Sequence, residues 1–391
     1  MNDITRRRAL LLTAGASTGI TGCLRLTESE QSENLDKNRT VAGNAETPMG
    51  EQFPEVTGIN LTKIKNLGGP IQFLPTHVYN EQFVGTSGDS VALVSPDGKI
   101  DWKSNEINSD YALGRGDYFE DSNFKYIRYQ RDGDQLISAF DKDDGTKRWE
   151  SIVRETSSEY KLNNATAGKS GIYYSINKED SPDKTLIVGY IDASGDQIWE
   201  KEIQEGNYVD ELRYNGSNLY VGTSDRLFNK NPNSGETNQK YTINVNGMTI
   251  DTNTIYVNTG RGLQKIYLNE DEVGKNRTNI RNPIGDPMVK GEYVFVRSDG
   301  GWIDAYSTED ESHVWEARLP AEPGRASLGE NIIWASWYER DEYGVHAIDI
   351  KTGKTIFKRQ ADKYLATGNR VIINDTDSPD DILYEVEEIK E

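Results

Sequence analysis

The chain has 391 residues, with 64 acidic against 44 basic side chains and a formal net charge of −20. A body this acidic repels phosphate backbones and anionic membrane surfaces, which argues against a nucleic-acid partner. A single cysteine leaves no disulfide framework or cysteine-rich metal site, and three histidines (His77, His313, His346) leave little for a histidine cluster.

Residues 5–11 read Thr-Arg-Arg-Arg-Ala-Leu-Leu, and an apolar, small-residue stretch runs on through Ile20. That is a charged region before an apolar one too short to span a membrane. Arg6 and Arg7 ahead of the stretch resemble a twin-arginine export signal. Ile20-Thr21-Gly22-Cys23 resembles a lipobox, in which cleavage before the cysteine frees its thiol for lipid. The expectation is a signal peptide over 1–22 and a lipid anchor at Cys23. Residues 23–58 carry Glu28, Glu30, Glu33 and Asp36 with little hydrophobic periodicity, and read as a flexible acidic tether.

From residue 59 a repeat governs the chain. Its clearest copies are Ala139-Phe140-Asp141-Lys142-Asp143-Asp144-Gly145-Thr146-Lys147-Arg148-Trp149 and Ala347-Ile348-Asp349-Ile350-Lys351-Thr352-Gly353-Lys354-Thr355-Ile356-Phe357. Gly98 with Trp102, and Gly195 with Trp199, keep the same glycine-to-aromatic spacing. The copies at Gly235 and Gly274 lose the aromatic, and the copy ending at Trp315 has Glu311 in place of the glycine. Before each turn stand short β-rich runs such as Leu219-Tyr220-Val221-Gly222-Thr223 and Tyr293-Val294-Phe295-Val296. The last unit has no aromatic strand of its own, and the stretch 59–65 is placed to supply its outer strand and close a ring. The reading is an all-β, eight-bladed propeller of four-stranded antiparallel blades over 59–391, with seven blades as the alternative.

The motif Ala-x-Asp-x-x-Thr-Gly-x-x-x-Trp resembles the quinoprotein-type (PQQ-like) β-propeller repeat. Quinone-dependent alcohol dehydrogenases share it with the outer-membrane-assembly propeller lipoproteins. The resemblance implies structural roles for Gly98, Trp102, Gly145, Trp149, Gly195, Trp199, Trp315, Gly353 and Phe357. The glycine takes a positive φ in the turn between third and fourth strands, and the aromatic docks between blades. In the quinone enzymes the resemblance further implies a cofactor in the channel over calcium, an aspartate base and, in many members, adjacent cysteines. This chain has no adjacent cysteines and no matching ligand set, so PQQ and calcium are not expected, nor is any other cofactor, metal or catalytic residue. The acidic turn Asp141–Gly145 departs from the spacing of a calcium loop. His313 and His346 read as ordinary strand residues.

The expected function is a non-catalytic, membrane-anchored propeller that scaffolds or recognises other surface proteins. A quinone/calcium oxidoreductase and a glycan-binding propeller are the alternatives. The hairpins Asn177–Lys184, Trp337–Tyr343 and Asp375–Asp381 read as long and crowd one rim. Trp337, Tyr338, Arg340 and Tyr343 there are the candidate binding residues, of types enriched at hot spots. Partners are then the membrane through Cys23, an unidentified surface or membrane protein, and a glycan. Charge and signal together fit a salt-adapted archaeal surface protein on the outer face of the cytoplasmic membrane, with a periplasmic lipoprotein as the alternative.

Overall fold

Runs of β-branched and aromatic residues closed by glycine or Asp/Asn turns favour strands over helices. The structure, a computed structural model, describes residues 53–390. Left out are 68–71, 74–82, 88–89, 105–106, 108–117, 156–159, 179–184, 205–207, 269–271, 274–279, 281, 322, 340–341, 362 and 375–380. Thirty-two strands, β1 to β32 in chain order, make eight antiparallel sheets of four, and the described residues contain no helix.

Seven sheets follow the chain without crossover: residues 72–104, 118–154, 160–203, 209–241, 247–273, 283–318 and 323–360 form blades 1 to 7. First strands touch first strands. β6 (Tyr118–Glu120) meets β10 (Tyr160–Ala167), followed by β14 (Val209–Tyr214), β18 (Gly247–Asp251), β22 (Pro283–Lys290), β26 (Pro323–Leu328) and β30 (Lys363–Thr367). These edges therefore line the axis of a propeller, with the later strands of each blade lying further out.

Blade 8 joins the two ends of the repeat region. Its order is β30, β31 (Arg370–Asn374), β32 (Asp381–Lys390) and β1 (Val56–Asn66). β1 runs antiparallel to β32 from Val56↔Lys390 to Asn66↔Ile382, so an upstream segment is the outer strand of the last blade. This closing strand starts before residue 59. Val56 is buried and its N–H donates to Asp349 Oδ2 at 2.8 Å, and Phe53 packs on Tyr293 with centroids 5.8 Å apart. Two apolar residues in a polar stretch find cover, which moves the folded boundary upstream of 59.

Blade faces bury against one another, so the core is spread between blades. Tyr126, Ile137 and Ala139 of blade 2 cluster with Ile172, Tyr174 and Ile176 of blade 3. Trp334 and Ala347 of blade 7 cluster with Val371, Ile373 and Tyr384 of blade 8. Burial on both faces explains the continuous apolar run of β23 (Tyr293–Ser298), where every residue is buried.

The repeat residues sit at the blade joints. Trp149 lies on the turn of blade 3 at Gly195 (φ 91°), where an added Cβ would stand 2.8 Å from the indole, and its Nε1–H donates to the Ala193 carbonyl at 2.9 Å. Trp199 covers Gly235 and donates to Pro232 at 3.0 Å; Trp315 covers Gly353 and donates to Ile350 at 2.8 Å. Gly145 and Gly98 also have positive φ, at 70° and 78°. Trp102 lies on the outer strand of blade 1, and Phe357 packs edge-on against Trp334 at 6.0 Å.

Where the aromatic is missing, other chemistry fills two of the described joints. Between blades 5 and 6 the turn residue Glu311 (φ 62°), its side chain 9% exposed, pairs at 3.5 Å with Lys265, 1% exposed. Lys265 Nζ also donates to the Thr308 carbonyl. At the closing joint the stem of Lys65 in β1 lies over Gly98, and its Nζ donates to the Gly98 carbonyl at 2.9 Å.

Candidate functional site

The first strands depart from regular pairing at one level of the axis. Register slips between Leu162 and Asn164 in β10, Val209 and Glu211 in β14, Ile284 and Met288 in β22, and Pro323 and Ala326 in β26. All four slips fall near the strand starts, at the end of the blades that carries the hairpins between second and third strands. A bulge frees a residue from the ladder and re-aims its neighbours. Four bulges at one level make this mouth of the channel the least repetitive part of the repeat.

Polar side chains cross the blades there. Asn163 and Asn164 of blade 3 donate to the Val209 and Asp210 carbonyls of blade 4, the latter at 2.8 Å. Glu211 and Arg213 lie two apart on β14 and so share a side. Arg213 Nη2 stands 2.8 Å from Glu211 Oε2 and 2.7 Å from Asp286 Oδ2 of blade 6. The Met248 N–H of blade 5 donates to the other Asp286 oxygen at 3.2 Å, and Thr249 Oγ1 donates to Pro287 at 2.6 Å. Arg297 of blade 6 donates to the Gly324 carbonyl of blade 7. A Cβ on Gly247 would stand 2.2 Å from the Gly285 carbonyl oxygen, so only glycine permits this approach of blades 5 and 6.

The two carboxyls differ in charge state. Burial, with Asp286 and Asp210 nearby, holds Glu211 well above the usual carboxylate range against the pull of Arg213. Burial acts on Asp286 too, but Arg213, a hydrogen bond from Glu211 and the Met248 N–H outweigh it and hold that group low. Asp286 is then the anion and Glu211 the acid, sharing one proton beside a guanidinium. Asp210, at the bulge, is pushed up to about 6 by the surrounding protein although one side of it meets solvent. The cluster therefore offers proton donors and acceptors near neutral charge. Sequence reading missed it, because its members lie 73 residues apart on strands with no aromatic marker.

The expected rim residues lie at the same end of the propeller. β27 (Ile332–Glu339) and β28 (Glu342–Asp349) pair right through Trp337–Tyr343, with Glu339↔Glu342 the last pair. The expected long loop is thus a tight hairpin, because cross-strand aromatics extend the ladder. Tyr338 and Tyr343 are cross-strand partners, 48% and 38% exposed, with ring centroids 4.6 Å apart. Trp337 covers Gly344 and meets His346 edge-on at 6.3 Å. Trp337 Nε1 and His346 Nδ1 are buried with no hydrogen-bond partner among the described residues. Burial, with Lys358 nearby, lowers His346 to about 4, so its ring is neutral. Arg340, Cys23, Arg6 and Arg7 lie outside the described residues.

The acidic turn at Asp141 is internally satisfied: Asp141 binds Arg148 at 2.7 Å and accepts the Asp143 N–H at 2.9 Å. A calcium-held quinone also fits the channel cluster poorly. The place of a cation between Glu211 and Asp286 is taken by the Arg213 guanidinium.

No family model and no curated protein matches the chain. Solved structures do. BamB from Moraxella catarrhalis superposes with a TM-score of 0.61 at 14% identity, covering 83% of this chain and 98% of that one. Quinohemoprotein alcohol dehydrogenase ADHIIG from Pseudomonas putida HK5 gives 0.56 at 11% identity, covering 85% and 76%. The computationally designed Ika8 protein gives 0.61 at 11% identity, covering 82% and 99%. At these identities the likeness shows the fold, a PQQ-like β-propeller, and leaves function to the site.

Proposed function

We propose that this PQQ-like propeller is a non-catalytic recognition scaffold. It is held by lipid at Cys23 on the outer face of the cytoplasmic membrane of a salt-adapted cell, and takes a surface or membrane protein on the face of the second-to-third-strand hairpins. The observation that carries the reading is the exposed Tyr338–Tyr343 pair on the face where four inner strands are bulged. Paired tyrosines give contact area at low entropic loss, and irregular inner strands supply non-repetitive polar groups around them. Export and anchoring rest on Arg6, Arg7 and the lipobox ending at Cys23. The likeness to BamB supports a scaffold, and the likeness to ADHIIG supports the oxidoreductase alternative; Arg213 between the channel carboxylates favours the scaffold. For glycan binding the two tyrosine rings are poorly placed, since each covers part of the other.

The test is co-purification from detergent-solubilised native membranes, with wild type compared against Tyr338→Ala/Tyr343→Ala by quantitative mass spectrometry. The reading expects at least a tenfold loss of a discrete membrane or surface protein, with the fold unchanged by circular dichroism. An identical set of co-purifying proteins from both chains contradicts it.

A further inference from the structure

Blade 6 brings together Asp304, His313 and Glu316 at its outer edge. Asp304 lies on β24 (Trp302–Ser307) and is fully buried, whereas His313 and Glu316 belong to the outer strand β25 (His313–Arg318). Residues three apart on a regular strand point to opposite faces. Here Ala305 pairs with Trp315 and Tyr306 with His313, so Val314 is bulged and His313 returns to the face of Glu316. Glu316 lies directly across from Asp304. His313 Nε2 stands 3.3 Å from Asp304 Oδ1, and one ligand atom from each of the three lies within 4.8 Å of the others.

Metal–ligand bonds of about 2.0–2.2 Å in a tetrahedral zinc site put neighbouring ligand atoms about 3.3–3.6 Å apart. The His–Asp pair therefore already has the spacing of two ligands on one ion, and the exposed Glu316 places a carboxylate oxygen within 4.8 Å of both. Outer contacts are in place as well. Ser298 Oγ donates to Asp304 Oδ2 at 3.3 Å, and the Tyr306 ring meets the imidazole at 5.3 Å and 72°.

The repeat supplies an internal comparison. In blade 2 the equivalent residues are Ser138, Lys147 and Glu150, and the Lys147 ammonium stands 3.2 Å from Glu150. In blade 3 they are Gly189, Gln197 and Glu200, and Glu200 binds Arg154 at 2.5 Å. In both, the glutamate at this position is neutralised by a basic side chain. Blade 6 has an imidazole where blade 2 has the ammonium, and adds a buried carboxylate. Arg318, two residues beyond Glu316, is drawn over the Trp302 ring, 5.1 Å from its centroid.

We propose that Asp304, His313 and Glu316 bind a divalent transition-metal ion of the zinc type, which cross-links the third and outer strands of blade 6. One imidazole nitrogen with two carboxylate oxygens suits such an ion better than calcium or magnesium, which prefer all-oxygen shells. The test is titration of the chelator-treated full chain with Co2+, read by its visible absorption, followed by displacement with Zn2+. One saturable equivalent is expected, resistant to excess Ca2+. Affinity should fall at least tenfold in both His313→Ala and Glu316→Gln, exposed positions at which the fold tolerates change, and stay unchanged in His77→Ala. Absence of a saturable Co2+ signal, or equal affinity in wild type, His313→Ala and Glu316→Gln, overturns the proposal.

Discussion

Gly195 and Gly216 share nearly one backbone conformation, φ 91° and 93°, but not one environment. A methyl on Gly195 would meet the Trp149 indole, while among the described residues nothing lies within 4 Å of one on Gly216. Gly216→Ala should therefore lose only the backbone contribution, about 1 kcal/mol, and Gly195→Ala about 2–4 kcal/mol in urea unfolding. Equal losses would mean that the indole does not hold the joint. At the channel mouth, Arg213→Met leaves Asp286 without its cation and should cost about 3–5 kcal/mol at neutral pH. That deficit should shrink in acid, where the carboxyls take up protons. Asp210 works in the opposite sense to an ion-paired carboxylate. Its folded value is raised from the ordinary 3.8 to about 6, so the folded state holds more protons in that window and its contribution to stability falls as pH rises through it. Asp210→Asn should flatten this part of the pH–stability curve and raise stability above pH 6, by roughly 1 kcal/mol or less after solvent screening. An unchanged curve would show that Asp210 does not sense its surroundings. Glycine and tryptophan were legible in sequence because both sit within one hairpin, four residues apart. Glu211, Arg213 and Asp286 were not, because only the packing of successive first strands around the axis brings blades 4 and 6 within reach of one guanidinium.

The blade is the unit that sequence spacing describes well, and its joints are where spacing fails. A missing aromatic after Gly235 and Gly274 reads as a decayed repeat, yet the next joint is refilled by the buried Lys265–Glu311 pair. Nothing local marks that exchange, since lysine and glutamate belong to different blades. Lys265→Met alone should cost about 3–5 kcal/mol by leaving Glu311 buried and uncompensated. Adding Glu311→Gly, which suits the positive φ, should recover most of the loss. A double-mutant cycle in urea checks this, and additive losses would contradict the pairing. The hairpin through Trp337–Tyr343 shows a second limit. Its charged residues read as a loop, but beside the cross-strand tyrosines Glu339 and Glu342 pair in the ladder.

At the scale of the whole molecule, β1 decides whether the last blade is complete and the ring joined. Removing residues 53–66 would strip β32 of its outer partner and uncover the blade 7–8 core that Val56, Ile59 and Leu61 cover. That truncation should self-associate in sedimentation, whereas a monomer as stable as wild type would show that β1 does not close the ring. A closed ring with one irregular face is a rigid platform, and this is the face proposed to meet the partner. The most direct measurement places a photo-reactive side chain at position 338, and separately at position 143 on the opposite turns, in the full chain in its native membrane. A discrete protein adduct is expected from 338 and none from 143. The same adducts from both positions, or none from 338, would contradict it.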